Sequence, residues 1–499
     1  MRISEGRCMR TAMALCVAAM PALPGDVRAG TDGWSPDPAH NLVIAGRSGE
    51  EVQAKILPLS DGGFYVSWFD NTDGGYDVRL QRLDVDGRAL WVDNGMVVAD
   101  RSFDWTTDYG FTVDADDHAV LSFQCCTQGG PDERLVLARI APDGTRAWPA
   151  PGIDVTLAGD AAAVSQVSAT SDGDVVVAWM TATGQGRAQK FDGNGTAAWA
   201  AGGVEIAGPA GASRFIADVR PGANGDAIVS WSNQPNFLTR VLYAQKLAAA
   251  DGAALWGTGV RVSETGNLQA GYFPPFMGDG EGGAVFAYYD NTGVVFDIRV
   301  QHIDSGAKRR FGPTGVLATT DGTRNHVSSA AAYDPASGDI FVAWVDDQTV
   351  SMQVMHSLRA QRIDADGNRQ WGDDGVELVP PAVATTGENA LSRPVVLLAP
   401  DGVIVAWTTG NTSVTSHPVR AQYLGRDGIV RWPQPADIKT APTTTARLAG
   451  ANSAAGYAAF VWSDAPDNDP AGNDVLGHRL DYDAKPDDVL FADGFEPAD

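Results

Sequence analysis

The sequence predicts an all-β fold, an eight-bladed β-propeller with an N-terminal strand closing the last blade. Three observations carry the prediction. A repeat of roughly 56 residues recurs eight times. The composition favours turns over helices. An orphan strand near the start of the chain matches one that the last repeat lacks. A seven-bladed ring with one degenerate copy is the alternative.

At 499 residues the chain is too long for one ordinary compact core, so it requires several domains or a repeat architecture. Hydrophobic residues make up 44% and charged residues 20%, a globular balance. Of the 62 acidic residues only ten are Glu and 52 are Asp, alongside 57 Gly. Asp and Gly build turns and weaken helices. The net charge of -26 argues against nucleic acid and anionic membrane surfaces as partners, since both attract basic proteins.

Arg2, Arg7 and Arg10 precede an apolar run over residues 11–23, and Val27-Arg28-Ala29 has the small-residue form of a signal-peptidase site. Residues 1–29 therefore read as an export signal, and a run this short does not anchor the chain in a membrane. The remaining organisation is a short lead over 30–40, a single propeller over 41–484 and a tail over 485–499. Cys8 and Cys16 leave with the signal, so the mature chain keeps only Cys125 and Cys126. Adjacent cysteines in an exported protein either close a vicinal disulfide or stay as thiols, and both remain open here.

Each repeat opens with an apolar segment ending in an aromatic, led by a glycine in every copy but the second: GGFYVSW at Trp68, HAVLSF at Phe123, GDVVVAW at Trp179, GDAIVSW at Trp231, GGAVFAY at Tyr288, GDIFVAW at Trp344, GVIVAW at Trp407 and GYAAFVW at Trp462. Such unalternating apolar strands are expected to be buried on both faces between blades. A second strand follows a polar loop, as in VRLQRLD at 78–84 and LRAQRID at 358–364. Next comes a tight turn with an aromatic four residues after its glycine, at Trp91, Trp148, Trp199, Trp256, Trp371 and Trp432, and Phe311 fills the same slot in the fifth copy. These seven are expected to lock blade to blade. Twelve of the 14 tryptophans occupy the two repeat positions, leaving Trp34 and Trp105 outside. A third, β-branched strand such as GVEIA follows, and a weaker fourth leads into the next repeat. Four short strands per unit with no helical period make a propeller blade. The eighth copy lacks its β-branched strand, which NLVIA at 41–45 is placed to supply.

The combination of RAQRID, DADGNRQWGDDGV and GDIFVAW resembles a broad group of secreted bacterial β-propeller repeat proteins with IYAQRID, DGNxLWGxxGV and GGAIVAW in each blade. The resemblance covers about residues 41–484. It implies the fold and an exported location, secreted, periplasmic or at the cell surface of a Gram-negative bacterium, and brings no activity with it. The ending VLFADGFEPAD resembles a short FADGFE terminus of secreted gammaproteobacterial proteins, which implies a sorting or processing tag.

The Gly-x-x-x-Trp element also resembles the tryptophan-docking motif of eight-bladed quinoprotein dehydrogenases, which carry a vicinal disulfide near the quinone. Against that reading, the chain is short for the class and offers no separable set of Glu, Asn and Asp calcium ligands. No cofactor is expected, and a quinone is disfavoured. The spacing of Asp86 and Trp91 is similar to that of sialidase-type Asp boxes, but the glycine sits one residue early and no arginine triad accompanies it. The seven His are scattered, which disfavours zinc. Calcium is the metal alternative, at the oxygen-rich stretch of Asp464, Asp467 and Asp469.

A ligand site is expected where the blades depart from the repeat, in the loops after the VAW-type strands. Asp70-Asn71 and Asp290-Asn291 share one position in two blades, and Asp346-Asp347 holds it in a third. Short oxygen-bearing side chains there would grip sugar hydroxyls or a cation. Turn capping is the competing role. The first functional reading is an exported, non-catalytic, monomeric propeller that binds a glycan or another surface macromolecule, such as a surface protein. The alternative is a secreted enzyme, either carbohydrate-active (hydrolase or lyase) or quinone-dependent.

Overall fold

The computed structural model describes residues 33–130, 133–157, 162–384, 389–392, 394–410, 414–465 and 472–483. Eight four-stranded antiparallel sheets form a ring, so the eight-bladed prediction holds and the seven-bladed alternative falls. Among the described residues there is no α-helix, and one 3-10 turn lies at Ala223–Gly225. Blade 1 shows the pattern: Glu51–Pro58 innermost, then Phe64–Asp70, Asp77–Leu83 and Met96–Ala99 at the rim. The second strand, which carries the VAW-type motif, is buried along its whole length in blade 1. It lies between two strands of its own sheet and two neighbouring blades, which is why its sequence does not alternate.

The weak strand leading each repeat is the innermost one, and its weakness has a structural cause. Pairing with the second strand slips at Val52/Lys55, Ala163/Gln166, Ile216/Asp218, Val327/Ala330 and Ala446/Ala449. Gln53, Val164, Ser328 and Arg447 sit in four of these bulges with positive φ, from 44 to 58°. A bulge breaks the two-residue period by which a strand is read from sequence.

Each blade-to-blade junction has its own apolar core. Tyr65, Phe69 and Leu80 of blade 1 pack against Leu121, Phe123 and Val136 of blade 2, for example, and all eight junctions are filled in this way. The ring closes as expected: Leu42–Ala45 pairs antiparallel with Asp474–Asp481 as the rim strand of blade 8.

The aromatic after each tight turn reaches the neighbouring blade. The indole N–H of Trp148 donates to Gly193 O at 3.2 Å, Trp199 to Ala249 O at 3.0 Å, Trp256 to Ser305 O at 3.2 Å and Trp371 to Arg426 O at 2.9 Å. Trp34 makes the same bond, to Val85 O at 3.2 Å. It is therefore not outside the repeat but the docking aromatic of blade 8, supplied with the closing strand from the other end of the chain. The propeller accordingly begins within the residues expected to be a lead.

The recurring Gln of the third strand is a buried bracket. Gln361 Nε2 donates to Gly372 O at 2.8 Å, while its Oε1 accepts the backbone N–H of Trp371 at 2.9 Å. Gln189, Gln245 and Gln301 repeat the arrangement. Each holds the turn that aims a docking aromatic.

Candidate functional site

Antiparallel order places the loops between second and third strands on the same face as the connections from each rim strand to the next innermost strand. The tight turns with the docking aromatics lie on the opposite face. Variability and framework are thus separated by face.

The three aspartates expected to grip a ligand are buried and already paired. Asp70, Asp290 and Asp346 are 1%, 2% and 2% exposed. Each lies on a second strand and pairs with an arginine across the sheet: Asp70 with Arg79 at 2.6 Å, Asp290 with Arg299 at 3.1 Å and Asp346 with Arg359 at 3.0 Å. They belong to blades 1, 5 and 6 and do not converge. Burial pushes the Asp70 carboxyl up, but the bonds from Thr72, Arg47 and Arg79 outweigh it and hold it below the ordinary range. At Asp290 burial wins over Arg299 and the carboxyl is raised. Asn71 Oδ1 accepts the N–H of Glu50 at 2.7 Å, which ties two loops together, and Asn291 Oδ1 accepts that of Gly293 at 2.9 Å, which is turn capping. Asp347 is half-buried, 4.0 Å from His356.

Asp464 is the same element in blade 8, with Lys439 Nζ at 2.6 Å as its cation. A lysine thus already fills the charge role that the calcium reading assigned to a metal. Asp467 and Asp469 lie outside the described residues. Asp114, Asp116 and His118 offer three ligand atoms close together, but Arg139 Nε donates to Asp114 Oδ2 at 2.8 Å. Cys125 and Cys126 are joined as a vicinal disulfide at the end of the second strand of blade 2. The carbonyl of Cys126 accepts the N–H of Ser102, tying the disulfide to the connection between blades 1 and 2.

The variable-loop face carries a groove and a recess at the channel mouth. The larger, about 850 Å³, lies between blades 3 and 4 and is lined by Gln185, Arg214, Phe215, Gln234, Asn236 and Phe237 among others. Phe237 is 84% exposed at the tip of the loop after Trp231. Phe215 is stacked on Phe273, ring centroids 5.9 Å apart. Arg214 is fixed by Glu205 at 2.8 Å. Asn236 Oδ1 accepts the N–H groups of Leu238 and Thr239, which shapes the turn presenting Phe237. The SNQPNF segment at 232–237 stands out in the sequence as a variable loop, but its phenylalanine carries no motif. Phe215 lies on an innermost strand, where the pattern is weakest.

The smaller recess, about 510 Å³, is the mouth of the central channel, lined by Gln53, Lys55, Asp108, Ser392 and Arg447 among others. Lys55 Nζ bonds Asp108 Oδ1 at 2.7 Å and stands 4.3 Å from the Tyr109 ring centre. Gln166 Nε2 donates to Asp108 Oδ2 at 3.0 Å. Burial pushes the Asp108 carboxyl up, and Lys55 with Gln166 more than reverses this.

The chain matches no family model and no curated protein. Among solved structures it is similar to an ulvan lyase of a polysaccharide-lyase family, at 11% identity over 91% of this chain and 96% of that one, with a TM-score of 0.46. It is also similar to the Dos1 propeller, at 12% identity over 88% and 95%, TM-score 0.46. A third is a protein of unknown function from Dyadobacter fermentans, at 9% identity over 89% and 98%, TM-score 0.40. Likeness at such identities bears on the fold alone.

Proposed function

We propose that this protein is an exported, non-catalytic propeller that binds a glycan in the groove between blades 3 and 4. The observation that carries the reading is an exposed aromatic ring, Phe237, standing over an open groove whose walls offer amide side chains. A ring face packs against the C–H face of a sugar, and amides both donate to and accept from its hydroxyls. Glu205 is the one carboxylate lining the groove among the described residues, and Arg214 holds it. Hydrolysis of a glycosidic bond ordinarily needs two placed carboxyl groups, so binding fits the groove better than catalysis.

The test is a binding screen of the mature protein against a panel of polysaccharides, followed by Phe237→Ala. Loss of a stacking ring is expected to weaken binding by roughly 10-fold. The melting temperature should stay unchanged, because the ring is mostly in water. Undiminished binding by that variant would remove the groove from the account.

A further inference from the structure

We infer that the mouth of the central channel is a subsite for an acidic substituent, a carboxylate or a sulfate group, on the bound glycan. The inference rests on the glycan reading for its ligand, but on different residues. Lys55 and Arg447 face the recess against a single carboxylate, Asp108. Asp108 is already engaged, by Lys55 at one oxygen and Gln166 at the other. Arg447 is exposed, and among the described residues no ion pair or hydrogen bond holds its guanidinium.

Of the two cations lining the recess, Lys55 is neutralised by Asp108, and Arg447 is left open in a chain of net charge -26. Its backbone explains how it comes to be there. Arg447 occupies the left-handed bulge of the innermost strand of blade 8 with φ 58°, and Gln53 the corresponding bulge of blade 1. Both side chains line the same recess. Val164 and Ser328 fill this bulge in blades 3 and 6, so the bulge itself belongs to the repeat. What is particular to the junction of blades 8 and 1 is the pair of residues it carries, a cation and an amide.

A guanidinium presents a planar fork of N–H donors that matches the two oxygens of a carboxylate or two of the three of a sulfate ester. Gln53, whose Nε2 donates one hydrogen to Thr106 Oγ1 at 2.6 Å, has a second amide hydrogen beside it. The inner wall of the groove between blades 3 and 4, at Ser213 to Phe215, is the start of an innermost strand, so the groove borders the channel. Arg447 belongs to blade 8, across the ring from the groove, so the saccharide that reaches it is one that runs from the groove over the channel mouth.

Calorimetric titration with D-glucuronate, glucose 6-sulfate and glucose separates the outcomes, with dextran, carboxymethyl-dextran and dextran sulfate as matched polymers. Glucuronate or the sulfate ester should bind and glucose should not, the preferred one identifying the substituent. Arg447→Ala should weaken that binding by roughly 10-fold and Arg447→Lys by less, since a lysine keeps the charge but not the fork. Both variants should melt with the wild type. Neutral and acidic polymers binding equally, or an acidic sugar indifferent to Arg447→Ala, would overturn the subsite while leaving the groove reading intact. Inorganic sulfate bound as tightly as either acidic sugar, with no polymer retained, would leave an anion site and remove the glycan.

Discussion

Asp346 shows what the repeated aspartates are for. Its two oxygens take Arg324, His326, Trp344 Nε1, Ser357 and Arg359, all within 2.7 to 3.1 Å. Removing the carboxylate strands these donors in a buried site, so Asp346→Ala should cost about 3 to 5 kcal/mol by chemical denaturation. A loss below about 1 kcal/mol, the usual effect at an exposed ligand position, would show that the pairing does not hold. Glu51, fully buried at the junction of blades 8 and 1, behaves differently. Burial, with Asp70 and Asp474 nearby, pushes its carboxyl up to about 9. The native chain therefore keeps a proton that the unfolded chain releases near 4.5, and stability falls as the pH rises from about 4.5 through about 9. Glu51→Gln should leave the melting temperature unchanged near the lower end of this window and raise it near the upper end. An identical pH dependence in wild type and variant would mean that Glu51 is ionised in the fold.

At the scale of elements, Trp34 and the strand Leu42–Ala45 carry the closure. Trp34 stacks so closely on the turn of blade 1 that a Cβ on Gly87 would lie 2.7 Å from the indole. Trp34→Ala should destabilise the protein by about 2 to 3 kcal/mol, below the range for a fully buried tryptophan because the ring is only half-buried. An unchanged unfolding midpoint would show that the closing strand alone joins the ends. The repeat made the second and third strands, the docking turns and the closing strand legible, because burial on two faces and a glycine turn leave fixed residue types. Trp34 escaped although Gly30 stands four residues before it, the same spacing as Gly367 to Trp371. Its blade is split between the chain ends, so the strand that pairs with its own lies at Asp474–Asp481 rather than just before it in sequence. The innermost strands were hardly legible, since their bulges cancel the alternation. Those strands line the channel, and with them Lys55 and Arg447 were missed. The Asp-Asn positions were read as ligands because one sequence cannot tell a carboxylate facing water from one facing an arginine on the next strand.

The whole molecule is a closed ring of eight similar blades in which one face repeats and the other does not. Docking aromatics, Gln brackets and Asp–Arg pairs recur and hold the ring. The groove lies at the junction of blades 3 and 4 and the channel mouth at the centre of the ring, both on the variable-loop face. A site built on rigid strands but drawn from their loops can change its ligand without changing the fold. Hydrogen–deuterium exchange of the mature protein, with and without a polysaccharide that it retains, tests this division most directly. Exchange should slow in residues 205–215 and 234–238, with the turns at 84–88 and 141–145 on the opposite face unchanged. Protection confined to those opposite turns would contradict it.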